Sequence, residues 1–194
     1  MNFLSHLYLS GKSTEIIIGN FIGDFVKGAK MNDYPSEISK GIKLHREIDF
    51  FTDNHPVVLK SKDKLRAKHG HYAGVVVDMF YDHFLAVNWD LYHPQKLKIF
   101  ADNIYALLQE NIDYLPPGAQ HMLPYMIKDN WLVSYADIKG IDKACKGIAS
   151  RTKFASKMET ATLLLEENYD EFKKEFESFL PVIKQHSALF LIDN

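Results

Sequence analysis

Cysteine is almost absent from this chain. Cys145 stands alone among 194 residues, so no intramolecular disulfide can form and the composition suits a reducing cytoplasm. Long apolar runs are missing too, since none approaches the roughly 18–20 residues that a membrane span needs. The first residues, MNFLSHLYLSGKSTE, lack a basic leader followed by an apolar stretch and a small-residue cleavage site, so no signal peptide is expected. Net charge is small at −2, and neither a nucleic-acid nor a membrane partner is expected. Period-two alternation is scarce, which argues against sheet.

The chain has a sizeable apolar fraction. With 46% hydrophobic and 25% charged residues it can bury a real core. Cys145 reads as a small filler of that core, with Trp89 and Trp131 as its large anchors. Apolar residues recur at helical spacing, as in Ile17, Phe21, Phe25 and Gly28, or Val76, Met79, Phe80, Phe84 and Val87. Prolines and short polar breaks punctuate these stripes. The pattern predicts an all-α fold with helices near 13–28, 35–53, 56–68, 72–90, 95–111, 118–135, 138–150, 156–167 and 169–190. That makes a compact single domain over 1–194, a bundle of about eight or nine helices, with 156–194 as a helical closing segment.

Ionisable groups sit inside these apolar stretches. In GIKLHREIDFFTDNHP, residues 41–56, His45, Asp49 and Asp53 are four apart twice over. They fall within roughly 80° of one helix face. Arg46 lies one position off the stripe, able to pair with a carboxylate or a phosphate oxygen. A second segment, GVVVDMFYDHFLAVNW, places Asp78 and Asp82 four apart in a nearly apolar helix, with His83 flanking them. A third, GNFIGDFVKG, holds Asp24 as its sole acid, with Asn20 four residues before it. Its glycines, Gly19 and Gly23, lower helix propensity by up to about 1 kcal/mol each, a cost that often reflects close backbone approach.

Several carboxylates gathered without a cation would force some to protonate. A divalent metal removes that conflict, and imidazole with carboxylate suits Mn, Fe, Zn or Mg where no thiolates are available. The metal-ligand candidates are therefore Asp24, His45, Asp49, Asp78 and Asp82. His6, in the apolar run NFLSHLYLS, is either a hydrogen-bonded core histidine or a ligand. Asp53 is either a ligand or a turn acid, and His55 a turn residue or a group behind the ligands. His69 and His71 read as basic-loop residues.

Charge is also unevenly spread. PVVLKSKDKLRAKHGH, residues 56–71, carries Lys60, Lys62, Lys64, Arg66 and Lys68 against one acid, Asp63, leaving 18 bases and 24 acids elsewhere. Such a stripe is either a solvated helix face or a surface for an acidic partner or phosphate-bearing ligand.

Taken in order, MNFLSHLYLS, GNFIGDFVKG, GIKLHREIDFFTDNHP, VVDMFYDHFLAVNW, WLVSY and GIASR resemble the acyl carrier protein phosphodiesterase family. The likeness runs from residue 1 to about 151. It implies a helical fold distantly similar to the HD-type metal-dependent phosphohydrolases, although the chain has no His-Asp dipeptide, only Asp82-His83 in reverse order. The implied reaction is hydrolysis of the phosphodiester joining 4′-phosphopantetheine to a serine of holo acyl carrier protein, with Mn²⁺ or Mg²⁺ as cofactor. On this reading Arg46 neutralises charge on the phosphoryl oxygens, and His83 and Asp82 complete the catalytic set. His83 would donate a proton or orient a ligand, and the basic 56–71 segment would steer the acidic carrier protein. Two alternatives remain at this level: a related phosphohydrolase of nucleotides or small phosphodiesters, and a non-enzymatic helical module that binds an acidic protein.

Overall fold

The computed structural model describes residues 1–152 and 156–193. Its elements are all helical. They run α1 (Phe3–Leu9), α2 (Thr14–Ile22), two 3₁₀ turns (Gly23–Phe25 and Gly28–Asp33), α3 (Ser36–Asn54), α4 (Pro56–His69) and α5 (Ala73–Val87). Then come α6 (Trp89–Tyr92), α7 (Leu97–Glu110), α8 (Pro117–Lys128), α9 (Trp131–Ser134), α10 (Ile138–Ala149), α11 (Ala161–Glu167) and α12 (Tyr169–Asp193). The all-α expectation holds, with twelve α-helices among the described residues rather than eight or nine. No helix among them is long and apolar enough to cross a membrane.

The extra helices arise where backbone preference cuts an apolar stripe. The expected 13–28 helix stops at Ile22, passes through the Gly23–Phe25 turn and becomes extended at Val26. Asn130, left-handed at φ 43°, divides the expected 118–135 helix into α8 and α9. The seven-residue α1 is too short to show a clear period and was not expected. His55 and Pro56 separate α3 from α4: the residue before proline is pushed to extended geometry (φ −72°, ψ 131°) and caps α4, its Nδ1 accepting from the Val57 amide.

Helix α5 is the axis of the core. Val76, Val77, Met79, Phe80, Tyr81, Phe84 and Leu85 are all buried, and α1, α4, α10 and α12 pack around them. Phe80 meets Phe172 edge-on, and Tyr81 meets Phe176 likewise, so α12 closes the core. Each such buried aromatic contributes about 1.5–3 kcal/mol of burial. The most extensive packing joins α2 to α3. A Cβ at Gly19 would lie 2.1 Å from the Ile38 carbonyl oxygen, and one at Gly41 would lie 2.4 Å from that of Ile16. The two glycines let the backbones cross in contact, which brings the polar stripe of α3 against the residues that end α2.

Candidate metal centre

Three short elements converge on the polar stripe of α3. Gly23 makes the convergence possible, because a Cβ there would sit 2.2 Å from Cγ of His45; the imidazole occupies the space of the missing side chain. Opposite it, α1 delivers His6, whose ring stacks on that of His45 at 3.9 Å between centroids and 14° between planes. Ligand-capable atoms of His6, His45 and Asp49 all lie within 4.8 Å of one another.

The hydrogen bonds fix which nitrogen of each ring bears a proton. The side-chain nitrogen of Asn20 donates to the His6 carbonyl and to Ser10 Oγ, both at 2.8 Å. Its Oδ1 therefore accepts, and His6 Nδ1, 2.9 Å away, donates to it. His45 Nδ1 donates to the Asn20 backbone carbonyl at 2.8 Å. Both Nε2 atoms consequently aim at oxygens. His6 Nε2 lies 3.1 Å from Asp49 Oδ1 and 3.1 Å from the Met1 carbonyl. His45 Nε2 lies 3.2 Å from Asp49 Oδ2 and 3.3 Å from Asp24 Oδ1. Imidazoles whose Nδ1–H is held by a carbonyl, with Nε2 free to bind, are the common arrangement of metal-ligating histidines.

Electrostatics separate the two rings. Burial and the adjacent His45 push His6 down to about 4, so its Nε2 is a bare lone pair facing two oxygens. Burial also opposes charge on His45, but hydrogen bonds to Asp24 and Asp49 outweigh it and raise the ring to about 9. Partial burial opposes charge on the half-buried Asp49, yet the charged His45 ring beside it holds the carboxyl well below the usual carboxylate range. Next to this group the Met1 ammonium lies 2.9 Å from Asp78 Oδ1 and 3.6 Å from Asp49 Oδ1. Burial raises Asp78, and that ammonium offsets the rise in part.

Of the five acids and imidazoles expected to ligate, Asp24, His45 and Asp49 come together, with Asp78 beside them through Met1. Asp82 has other partners: it is fully buried and accepts from the Leu4 amide at 2.8 Å, the Ser5 amide at 3.1 Å and the Ser5 hydroxyl. It thus caps the first turn of α1, and burial raises it to about 6 despite those bonds. His83 joins the Tyr135 carbonyl at 2.8 Å to the Tyr169 hydroxyl at 3.2 Å. Arg46 donates to the carbonyls of Val26 and Gly28 at 2.9 and 3.0 Å, tying down the loop that carries Asp24. Asp53 is exposed and paired with Lys62 at 2.6 Å.

The basic stripe lies on α4. Lys64 reaches Glu171 and Glu175, both at 2.8 Å, Lys60 reaches Glu175 at 3.6 Å, and Arg66 pairs with Asp63 at 3.1 Å. Lys60 and Arg66 stay largely exposed, at 73% and 59%.

The chain matches the family model described as acyl carrier protein phosphodiesterase over residues 1–183. It belongs to the acyl carrier protein phosphodiesterase family. The relative from Photorhabdus laumondii is 31% identical over 186 residues, covering 95% of this chain and 94% of that protein. Those from Yersinia pestis (29%, covering 96% and 97%) and Salmonella agona (30%, covering 97% and 98%) carry the same name. No solved structure matches the chain. The geometry joins His6, which the sequence left between core and ligand, to His45 and Asp49. The one sequence signal of His6 was its place in NFLSHLYLS, for Asn20, which orients it, lies fourteen residues further on.

Proposed function

We propose that this protein hydrolyses the phosphodiester linking 4′-phosphopantetheine to the serine of holo acyl carrier protein, releasing the apo protein and 4′-phosphopantetheine. The observation that carries the reading is the His6–His45–Asp49 group, two imidazoles with fixed Nδ1–H bonds sharing one carboxylate. Its donor set, two imidazoles and a carboxylate, fits a divalent transition cation such as Mn²⁺ better than Mg²⁺, which prefers oxygen ligands. His6, His45 and Asp49 would hold it, with Asp24 and Asp78 at its edges. When bound, such a cation polarises a phosphoryl oxygen and lowers the pKa of a water.

The protein's own groups supply the rest. Asp24, with 69% of its side chain exposed, faces the solvent side and, as a carboxylate released from His45 once that ring's Nε2 binds the cation, accepts the proton of the attacking water. Arg46 and Asp82 are positioning residues, one fixing the Asp24 loop and the other fixing α1 and with it His6. His83 holds α5 to the Tyr135 and Tyr169 segments. Lys60, Arg66 and Lys68, with Lys62 and Lys64 behind them, attract the acidic carrier protein, and the compartment is the cytoplasm.

Mass spectrometry of holo carrier protein incubated with the enzyme, with Mn²⁺ or EDTA, tests the reading directly. The expected result is metal-dependent loss of the pantetheine arm, falling at least 100-fold in folded His6→Ala and His45→Ala. Turnover of a nucleotide panel in preference to holo carrier protein would overturn the substrate, and undiminished turnover in EDTA would overturn the metal.

A further inference from the structure

A cavity of about 590 Å³ opens between α8, α10 and the N-terminal segment. That volume is typical of a small-ligand site. Its walls are largely apolar, with Phe3, Phe25, Met79, Met122, Trp131 and Ile148 among them. Two of its lining residues adjoin the metal-ligand group along the chain. Phe25 follows Asp24 in the 3₁₀ turn, and Asn2 follows Met1, whose ammonium sits against Asp78 and Asp49.

Several polar groups in its wall have partners within the protein, and Arg151, whose Nε donates to the Gly147 carbonyl at 3.0 Å, adds one cation to the lining. Lys143 pairs with Asp129 at 2.9 Å, and the Asn2 amide donates to Met79 Sδ at 2.9 Å and to the Tyr135 hydroxyl at 3.3 Å. Such a wall suits an uncharged chain. The other large cavity, about 630 Å³, is lined by Asp53, Lys62, Arg66, His71 and Asp78 and suits charge.

We infer that the cavity between α8 and α10 receives the pantetheine arm of the carrier protein, running away from the phosphodiester past Phe25 and Asn2. This rests on the proposed reaction, in which one side of the phosphodiester is an uncharged, partly apolar arm and the other an acidic protein. The apolar cavity takes the arm, and the basic α4 side is left to the protein.

Gly147 gives access to a test. It lines the cavity on the exposed face of α10, and a Cβ there would meet nothing within 4 Å. Gly147→Leu thus adds apolar bulk at the cavity from a position whose Cβ is free of contact, and it replaces a glycine with a better helix former. For holo carrier protein, kcat/KM of the folded variant should fall at least tenfold, chiefly through KM. Equal kcat/KM in variant and wild type would overturn the seat of the arm. Arm release absent from the wild type itself would instead strike the proposed function. A second measurement needs no variant. With metal chelated to prevent turnover, holo carrier protein should shift the emission of Trp131 while apo carrier protein leaves it unchanged, Trp89 being buried. An identical response to both forms would overturn the inference.

Discussion

At the scale of single residues, His6 and His45 are an unequal pair with opposite pH behaviour. In the metal-free fold His45 is raised from 6.5 to about 9. Its ion pairs with Asp24 and Asp49 therefore stabilise the fold fully below about pH 6.5, and that contribution is lost as pH rises toward 9. His6 is lowered from 6.5 to about 4, so acidification between those values costs stability, because the unfolded ring takes a proton there that the buried ring does not. A bound cation would replace the His45 proton and so compete with it. Thermal melts in EDTA and in Mn²⁺ should show a larger metal-induced rise in Tm at pH 8.5 than at pH 6; equal rises would contradict the assignment of His45. Asn20 offers a separate test, because its side chain serves His6 while its backbone carbonyl serves His45. Asn20→Ala should cost about 1–3 kcal/mol of stability through lost buried hydrogen bonds. It should also weaken Mn²⁺ binding about 10–100-fold, and a titration showing unchanged affinity would argue that His6 is only structural.

At the scale of elements, the crossing of α2 on α3 assembles the site, and its glycines have distinct duties. Gly19 faces backbone, since an added Cβ would lie 2.1 Å from the Ile38 carbonyl oxygen and 2.8 Å from Gly41 Cα. Gly23 faces the His45 ring. Gly19→Ala should therefore force the helices apart and destabilise the protein by about 1–3 kcal/mol. Gly23→Ala should lower Tm as well, since the new Cβ would sit 2.5 Å from His45 Cβ, but unlike Gly19→Ala it should also cost the folded enzyme about 100-fold in activity as His45 is displaced. Calorimetry beside the arm-release assay separates the two, and a Gly23→Ala enzyme of full activity would show that His45 can move freely. The weak helix propensity of these glycines already pointed to close approach, and the i, i+4 spacing of α3 already joined His45 to Asp49. Asp24 was legible as the one acid in its segment. Asp82 shows where spacing stops being informative. Its periodicity with Asp78 is genuine, but α1, seven residues long, claims its oxygens through two backbone amides 77 and 78 positions away in sequence. A contact between an acid and a helix N-terminus leaves no trace in residue spacing. His6 was hard to assign for the same reason, because its companions come from α2 and α3.

At the scale of the whole molecule, the question is how an acidic protein finds a site on a chain of net charge −2. The basic residues of α4 are not equivalent. Lys62 and Lys64 are mostly covered, with 12% and 21% of their side chains exposed, and they tie α4 to Asp53 at the end of α3 and to Glu171 and Glu175 of α12. Removing Lys64 deprives the buried Glu175 of an ionic partner, although Ser61 still donates to it at 2.6 Å. Lys64→Ala should therefore lower Tm. Lys60 and Arg66 keep their charges in solvent, where their pairs with Glu175 and Asp63 are worth little and a docking partner can compete for them. Long-range attraction of this kind acts on encounter and is screened within about 8–10 Å at physiological salt. The double variant Lys60→Glu, Arg66→Glu should fold normally, raise KM for holo carrier protein about tenfold and leave kcat nearly unchanged. It should also flatten the decline of kcat/KM with added salt seen in the wild type. If the salt dependence were as steep in the double variant, the carrier protein would be approaching over another face, and α4 would serve only to hold α3 and α12 in register.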